Sequence, residues 1–155
     1  MCYEWTAQNL EYGNMHVGLR PIDFIMRNRI TDCGNFSSVF ISLLRAKGIP
    51  ARHIVMMNPW EKRPESWIRM HTRAEFYVPA YGWIPVDPTY KNSSPNGNFF
   101  GVFTGPNVVM YRGITLKHKG PNNEDTSLDP GSHYRVRYWY NSFGTAQFTH
   151  QFSVE

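Results

Sequence analysis

The hydrophobic residues that follow Asp32 recur at helical spacing. Apolar side chains stand at i, i+3, i+4, i+7 and i+8 in a single stripe: Phe36, Val39, Phe40, Leu43 and Leu44. This spacing predicts an amphipathic helix over residues 33–47 that buries one face. Thr31 or Asp32 can cap its first turn with a side-chain oxygen, and Gly48 suits the left-handed position beyond its end.

Two weaker helices are predicted earlier in the chain. Pro21 opens a short apolar segment, and proline is favoured in the first turn of a helix, so residues 21–26 are expected to be helical. Residues 4–12, which include Trp5, show a less regular helical pattern.

Beyond residue 50 the pattern changes from helical spacing to alternation. A short apolar run predicts a buried strand over residues 53–57, and residues 68–78 alternate between two faces. One face of this second strand carries Ile68, Met70, Thr72, Ala74, Phe76 and Val78, and the polar face carries Arg69, His71, Arg73, Glu75 and Tyr77.

A turn at residues 79–82 predicts a hairpin that leads into a strand over residues 83–87. Pro85 favours an edge position because proline cannot donate to a sheet, and Pro88 ends the strand. Helices followed by strands indicate an α+β fold with an antiparallel sheet. The rest of the chain is expected to hold loops at 92–97 and 120–131 and late strands at 134–140 and 146–154.

Length and composition narrow the class of protein. A chain of 155 residues fits a single domain, and 41% hydrophobic with 18% charged residues argues against intrinsic disorder. Its apolar runs are too short for a membrane span, and two cysteines exclude a disulfide-rich scaffold. The first ten residues lack the pattern of a signal peptide. Either the chain is cytosolic, or it is a fragment whose targeting segment was removed, such as a piece of an exported bacterial-type protein that could have adjoining domains. Because the chain begins directly in helical sequence, we favour the fragment.

Positive charge is concentrated in one region. Residues 45–73 carry seven basic side chains against Glu61 and Glu65, whereas the net charge of the whole chain is +4. Such a region could face an acidic polymer, but a solvated surface is the more common explanation. The aromatic signatures of RNA-binding domains and the helix-turn-helix pattern are missing from the sequence, so nucleic acid is not an expected partner.

Cys33 stands at the start of the best-predicted helix. There the unpaired amides and the positive end of the helix dipole favour a thiolate over a thiol. Gly34 leaves room for a substrate carbonyl, and the backbone amides of Cys33 and Gly34 could form part of an oxyanion hole. A small buried core cysteine remains the alternative interpretation.

His71 and Asp87 could complete a nucleophilic site. A cysteine nucleophile needs a base to accept its proton, and that base needs an acceptor on its other nitrogen. A hairpin centred on Pro79 would set His71 opposite Asp87, whereas one centred between Ala80 and Tyr81 would offset them by about three residues, roughly 10 Å. The sequence permits the contact without fixing it, and each residue also has an ordinary structural explanation.

Two segments closely resemble the transglutaminase-like superfamily. They are TDCGNFSSVFISLLRAKGIPAR at residues 31–52 and HTRAEFYVPAYGWIPVDPT at residues 71–89. The resemblance implies a papain-like core, in which a nucleophile-bearing helix packs on an antiparallel sheet. It further implies Cys33 as nucleophile, His71 as general base and acid, and Asp87 as the acceptor that orients the histidine.

The chain departs from the family pattern near these residues. Arg73 stands where many relatives carry tryptophan, and Gly34 stands where many carry a large residue. A secure match for the tryptophan that helps hold the oxyanion in animal transglutaminases is missing. Trp83 is a candidate substrate-binding residue, although packing beside the hairpin explains it equally well. Other candidates for a pocket wall are Trp5, Trp60 and Trp67.

Other chemistries find little support in the sequence. The GxSxG and HExxH motifs and a glycine-rich phosphate loop are missing. The remaining histidines lack the spacing of metal ligands: His16, His53, His118, His133 and His150. We therefore expect neither a metal nor an organic cofactor.

The sequence supports two functional hypotheses. The first is a cysteine-dependent amide hydrolase or acyltransferase that acts through a thioester on a peptide or protein amide. Hydrolysis is favoured, because short bacterial-type domains of this family look more often like peptidases or amidases. The second is a catalytically inactive module on the same fold that binds a protein or an anionic polymer.

Overall fold

The computed structural model describes residues 1–13, 20–58, 69–105, 107–113, 116–119 and 125–128. These residues form four helices: α1 (Cys2–Asn9), α2 (Ile22–Asn28), α3 (Cys33–Arg45) and α4 (Pro88–Ser93). They also form eight strands: β1 (Glu11–Tyr12), β2 (Ile30–Thr31), β3 (Ala51–Asn58), β4 (Arg69–Val78), β5 (Gly82–Val86), β6 (Val108–Arg112), β7 (Leu116–Lys119) and β8 (Asp125–Leu128).

The main sheet has four antiparallel strands in the order β5-β4-β3-β6. Helix α3 lies against β4 and β3 of this sheet. Two further pairs form separately: β1 with β2 in parallel, and β7 with β8 in antiparallel register. The α+β class with an antiparallel sheet, predicted from the sequence, is confirmed.

Helix α3 forms as its pattern predicts. The Asp32 side chain caps it by accepting a hydrogen bond from the Asn35 amide at 3.0 Å, and Gly48 takes φ +75° just beyond its end. Its apolar face enters two core clusters. Phe40, Ile41 and Leu44 join Tyr3, Ala51, Ala74 and Val86, whereas Phe36 and Val39 join Leu10 and Ile25. The position of Cys33 at the first turn is thus fixed by burial along the whole helix.

The predictions for the first two helices fare differently. Helix α2 is confirmed, with Pro21 immediately before its first turn. The helix predicted at residues 4–12 is wrong at both ends, because α1 spans Cys2–Asn9 and Leu10 takes an extended conformation. Glu11 leaves the helix because its amide donates to the Arg29 carbonyl, which starts the pairing of β1 with β2.

The hairpin of β4 and β5 has a register between the two considered from the sequence. Ala74 pairs with Val86 and Val78 with Gly82, so the hairpin is centred on Ala80. Ala80 and Gly82 both take positive φ in this turn, at 73° and 80°. Pro85 lies in β5, at the edge of the four described strands, as its missing amide proton predicts.

The chain after residue 90 is more regular than predicted. The first loop expected there, 92–97, overlaps the end of α4, and the second, 120–131, contains β8. Strands β6 and β7 were not predicted either. The strands predicted at 134–140 and 146–154 lie outside the described residues.

The polar face of β4 is buried. His71, Arg73 and Glu75 are 6%, 0% and 3% exposed, whereas Tyr77, farther along the described part of this face, is exposed to solvent. Glu75 pairs with Arg52 and Arg112, so its charge is compensated. Alternation predicted which residues share a face but not that both faces are covered. Within the part of the chain that the structure describes, none of the helices has the length and apolar character needed to cross a membrane.

Candidate active site

Cys33 is the first residue of α3. Asp32 immediately before it caps the helix, which places the Cys33 and Gly34 amides in the first turn, at the positive end of the helix dipole. Both residues are buried, and Cys33 is 2% exposed. Cys33 therefore lies at the start of the helix, where the sequence places it, in a position covered by other parts of the chain.

His71 and Asp87 are in direct contact. The Nε2 atom of His71 lies 2.6 Å from Oδ2 of Asp87, and both side chains are buried. The other carboxylate oxygen of Asp87 accepts the Tyr90 amide at 3.0 Å, which caps α4. Asp87 is thus held at both oxygens, by a helix on one side and by the imidazole on the other.

Cys33 contacts the same imidazole. Burial by itself would lower the pKa of His71, but the charge and hydrogen bond of Asp87, together with the hydrogen bond and charge of Cys33, raise it to about 9. Since Nε2 is directed at Asp87, Nδ1 is the nitrogen left for the Cys33 sulfur. The two contacts place the imidazole between a carboxylate and a sulfur atom, and both favour its protonated form.

Tyr90 was not among the site residues predicted from the sequence. Its ring lies parallel to the His71 imidazole, with centroids 4.5 Å apart and an angle of 8° between the planes. Phe99 in turn packs edge-on against Tyr90. Tyr90 reaches His71 because the first turn of α4 brings its ring back toward Asp87 and the histidine. The sequence could have indicated this contact only if α4 had been predicted.

Arg73 is the second residue that sequence reasoning did not place at the site. It is completely buried, with Nε 3.5 Å from the Asp87 oxygen that binds His71. Its guanidinium also lies over the Phe103 ring and contacts the Thr104 carbonyl. Burial lowers the pKa of Arg73, against the raising effects of Asp87 and Tyr90. The sequence did offer one indication: Arg73 comes two residues after His71 on a predicted strand, so the two side chains share a face.

Trp83 lies elsewhere. It pairs with Tyr77 across the hairpin, six residues along β4 from His71, which is about 20 Å of strand. Arg52 stacks over its indole ring at 3.8 Å and Tyr77 packs edge-on against it. The structure therefore does not bring Trp83 to the three candidate residues. Trp5 is exposed on α1, and Trp60 and Trp67 lie outside the described residues.

The described part of the chain shows no cluster of side chains suited to a metal ion. Its His, Cys, Asp and Glu side chains form no group of three that could hold one. His53 is buried on β3, where its Nε2 lies 3.1 Å from the Ser38 hydroxyl. This contact ties β3 to α3.

Comparison with known proteins identifies the family. Residues 1–88, more than half of the chain, match the family model described as the transglutaminase-like superfamily. The chain belongs to this superfamily. The antiparallel sheet with the Cys33-bearing helix packed on it is the papain-like core expected for a transglutaminase-like protein.

Two curated relatives of this transglutaminase-like chain are bacterial. An uncharacterized protein of Haemophilus influenzae is 31% identical over 112 residues, which cover 56% of this chain and 30% of that protein. A protein-glutamine gamma-glutamyltransferase of Pseudomonas aeruginosa is 32% identical over 75 residues, which cover 44% of this chain and 11% of the enzyme. The chain thus matches less than a third of the length of either relative.

A solved structure is also similar. It is that of a proposed cysteine protease from Cytophaga hutchinsonii, with a TM-score of 0.49 and 21% identity. The match covers 90% of this chain and 47% of that one.

Proposed function

We propose that this chain is a cysteine-dependent enzyme that cleaves an amide through a thioester, with Cys33 as nucleophile. The observation that carries the proposal is the position of His71 between Asp87, at 2.6 Å, and the sulfur of Cys33. Membership of the transglutaminase-like superfamily supports a cysteine-based reaction. The substrate is a peptide or protein amide, as the family resemblance implies.

In the proposed first step the Cys33 thiolate attacks the carbonyl carbon of the amide. A carbon–sulfur bond forms while the carbonyl π electrons move onto the oxygen. The Cys33 and Gly34 amides, in the first turn of α3, are suited to donate to that oxyanion. His71 then gives its proton from Nδ1 to the amide nitrogen as the carbon–nitrogen bond breaks, and an amine leaves.

In the second step a nucleophile attacks the thioester carbonyl. His71, now neutral, accepts a proton from this nucleophile, and the carbon–sulfur bond breaks to restore the Cys33–His71 pair. Water as the nucleophile gives hydrolysis, and an amine gives acyl transfer. Asp87 keeps the imidazole oriented through both steps. None of these bond changes requires a metal or an organic cofactor.

We favour hydrolysis as the outcome. An acyl transfer needs a site that admits an amine and excludes water, whereas hydrolysis needs only water at the thioester. The name of the Pseudomonas aeruginosa relative, a protein-glutamine gamma-glutamyltransferase, supports transfer as the competing outcome. Both outcomes share the thioester and differ only in how it is resolved.

A screen of covalent amide probes tests the proposal. Peptide, isopeptide and glycan-linked amides are incubated with the protein, and the mass added to Cys33 is read by peptide mapping. We expect an adduct on Cys33 that is lost in Cys33→Ala and kept in Cys2→Ser. The products then distinguish the two outcomes. Hydrolysis releases the free carboxylic acid, whereas acyl transfer to added cadaverine gives an amide conjugate. Adducts shared equally by both cysteines, or found on neither, would contradict an activated thiol.

The burial of Cys33 favours a second candidate, an inactive binding module on the same fold. A sulfur in a residue that is 2% exposed reaches a substrate only after covering groups move. Such a module would hold a protein or an anionic polymer. Three arginines of the basic region are engaged within the fold, which weighs against the polymer: Arg45 on the Ala51 carbonyl, Arg52 on Glu75 and Arg73 on Asp87. Salt-dependent binding of an anionic glycan without thiol reactivity would favour the module.

A further inference from the structure

Arg73 and His71 approach the same oxygen of Asp87. The imidazole Nε2 of His71 lies 2.6 Å from Oδ2 of Asp87, and Nε of Arg73 lies 3.5 Å from the same oxygen. His71 and Arg73 are two residues apart on β4, so their side chains lie on the same face of the strand. The register explains the arrangement. One step beyond the last hairpin pair, Ala74 with Val86, Asp87 comes beside Arg73 rather than beside His71. One buried carboxylate thus serves two cationic partners.

We infer that Arg73 is a positioning residue for the proposed reaction: its guanidinium, close to the Asp87 oxygen that contacts His71, weakens the hold of Asp87 on the His71 proton. The inference rests on the proposed function, because it assigns Arg73 a role in setting how readily His71 releases and accepts a proton. Arg73 acts through Asp87 and does not itself touch the reacting atoms.

The surroundings of Arg73 are poor for a purely structural arginine. Among the residues that the structure describes, its Nε and Nη1 atoms have no hydrogen-bond partner, and its contact with the Thr104 carbonyl is long, at 3.4 Å. The described ion pairs give Arg73 a single carboxylate, Asp87. A charge that is buried with so little hydrogen bonding depends on that carboxylate, since a buried cation without a counter-charge is strongly disfavoured.

Arg52 shows what a structural arginine looks like on the same sheet. Its side chain is 33% exposed, it pairs with Glu75, and it stacks on Trp83 at the far end of the hairpin. Glu75 also pairs with Arg112, so two partly exposed arginines share the compensation of its negative charge. Arg73, by contrast, is completely buried beside the residue that orients His71.

The charges that face His71 come from few elements of the described chain. Cys33 approaches from α3, and Asp87 and Tyr90 approach from α4. Met56 is its uncharged partner on β3, and uncharged Phe103 and Thr104 contact Arg73. Burial first, and then the charge of Asp87, raise the pKa of Tyr3 on α1. Glu75, farther along β4, is neutralised by its two arginines.

Elementary electrostatics gives the direction of the effect. Asp87 favours the protonated imidazole, and a positive guanidinium two residues away, about 7 Å along the strand, opposes it. At an effective dielectric constant near 20, removal of this charge should favour imidazolium by about one pH unit or more. A proton held more tightly on His71 is transferred less readily to a leaving amine at neutral pH.

The test is the titration midpoint of His71, measured by NMR with labelled histidine and assigned through His71→Gln. In Arg73→Gln we expect the midpoint to rise by about one pH unit or more, and in Arg73→Lys, which keeps the charge, to stay within about 0.3 unit of the parent. Arg52→Gln is the matched control, since it removes an arginine from a buried carboxylate on the same sheet and should leave the midpoint unchanged. An unchanged midpoint in folded Arg73→Gln would overturn the inference.

If Arg73→Gln does not fold, Arg73→Lys still tests the role of the charge. A folded Arg73→Lys protein whose midpoint rises by a full unit would also overturn the role of the charge. The titration needs no turnover, so it separates this inference from the proposed function. A shift in a protein without amidase or transferase activity would overturn the function alone, whereas an active enzyme without a shift would overturn only the role of Arg73.

Discussion

His71 and Asp87 form a 2.6 Å hydrogen bond although the β4–β5 register does not set them opposite each other. Asp87 directly follows the last residue of β5, caps α4 and turns one oxygen toward the Tyr90 amide. The remaining oxygen is thereby directed to the imidazole. A helix cap thus fixes a contact that strand pairing alone would leave two residues out of place.

The first prediction separates the two tasks of Asp87. Asp87→Ser keeps a good helix cap but removes the carboxylate that His71 contacts. We expect α4 to remain folded, the His71 pKa to fall from about 9 towards its ordinary 6.5, and kcat to fall about 10²-fold. NMR titration and steady-state kinetics check this. A His71 midpoint that stays at its parent value in Asp87→Ser would show that Asp87 is not its main charge partner.

The second prediction concerns stability against pH. The pKa of His71 is raised to about 9 in the folded chain, so folding is linked to protonation of this residue. The associated stabilisation is complete below about pH 6.5 and is lost as the pH rises through 9. A shift of this size corresponds to about 3 kcal/mol.

Urea unfolding at pH 6, 7.5 and 9 measures this effect. In the parent protein we expect the free energy of unfolding to decline across this range, and in His71→Gln we expect the decline to be largely absent. A parent protein that becomes more stable from pH 6.5 to 9 would contradict the raised pKa, because the sign would be reversed.

Local signals predicted the helix that carries Cys33. The spacing of its apolar residues, the Asp32 cap and Gly48 all act within a few residues, and all three take the predicted positions. The edge position of Pro85 follows equally from its own chemistry. Helix α4 was missed for a related reason. Asp87 followed by Pro88 is typical both of the end of a strand and of the start of a helix. The sequence-based prediction used the pair only to end the strand, so it did not include α4.

The contacts among Cys33, His71 and Asp87 were implied by the family resemblance, but local patterns alone could not fix contacts between distant segments. Two registers were considered from the sequence, and the structure centres the turn between them on Ala80, which takes a positive φ that sequence rules would assign to glycine. Arg73 is buried because Phe103 and Thr104, about thirty residues later, pack on the polar face of β4. Alternation fixes the face of a strand residue but not what covers that face.

The third prediction is that stacking of Tyr90 keeps the His71 ring in place. Tyr90→Phe retains the parallel ring and is the control that isolates the ring from the hydroxyl; we expect it to lose less than the leucine variant. Tyr90→Leu removes the ring, and we expect a loss of about 1 kcal/mol in stability with a several-fold drop in kcat and little change in KM. Thermal unfolding and kinetics check this. Equal losses in both variants would assign the effect to the hydroxyl rather than to the ring.

The last prediction uses the two cysteines as a matched pair. Cys2 and Cys33 are both the first residue of a helix, so both experience the positive end of a helix dipole, but Cys33 also contacts His71. We expect iodoacetamide to label Cys33 at least about tenfold faster than Cys2 at pH 7, because the imidazolium stabilises a thiolate. Cys33 is the more buried of the two, so exposure alone would give the opposite order. In His71→Gln the advantage of Cys33 should disappear. Slow and equal labelling of both thiols in the parent protein would instead favour the inactive binding module, in which the buried sulfur serves only the packing of α3 against the sheet.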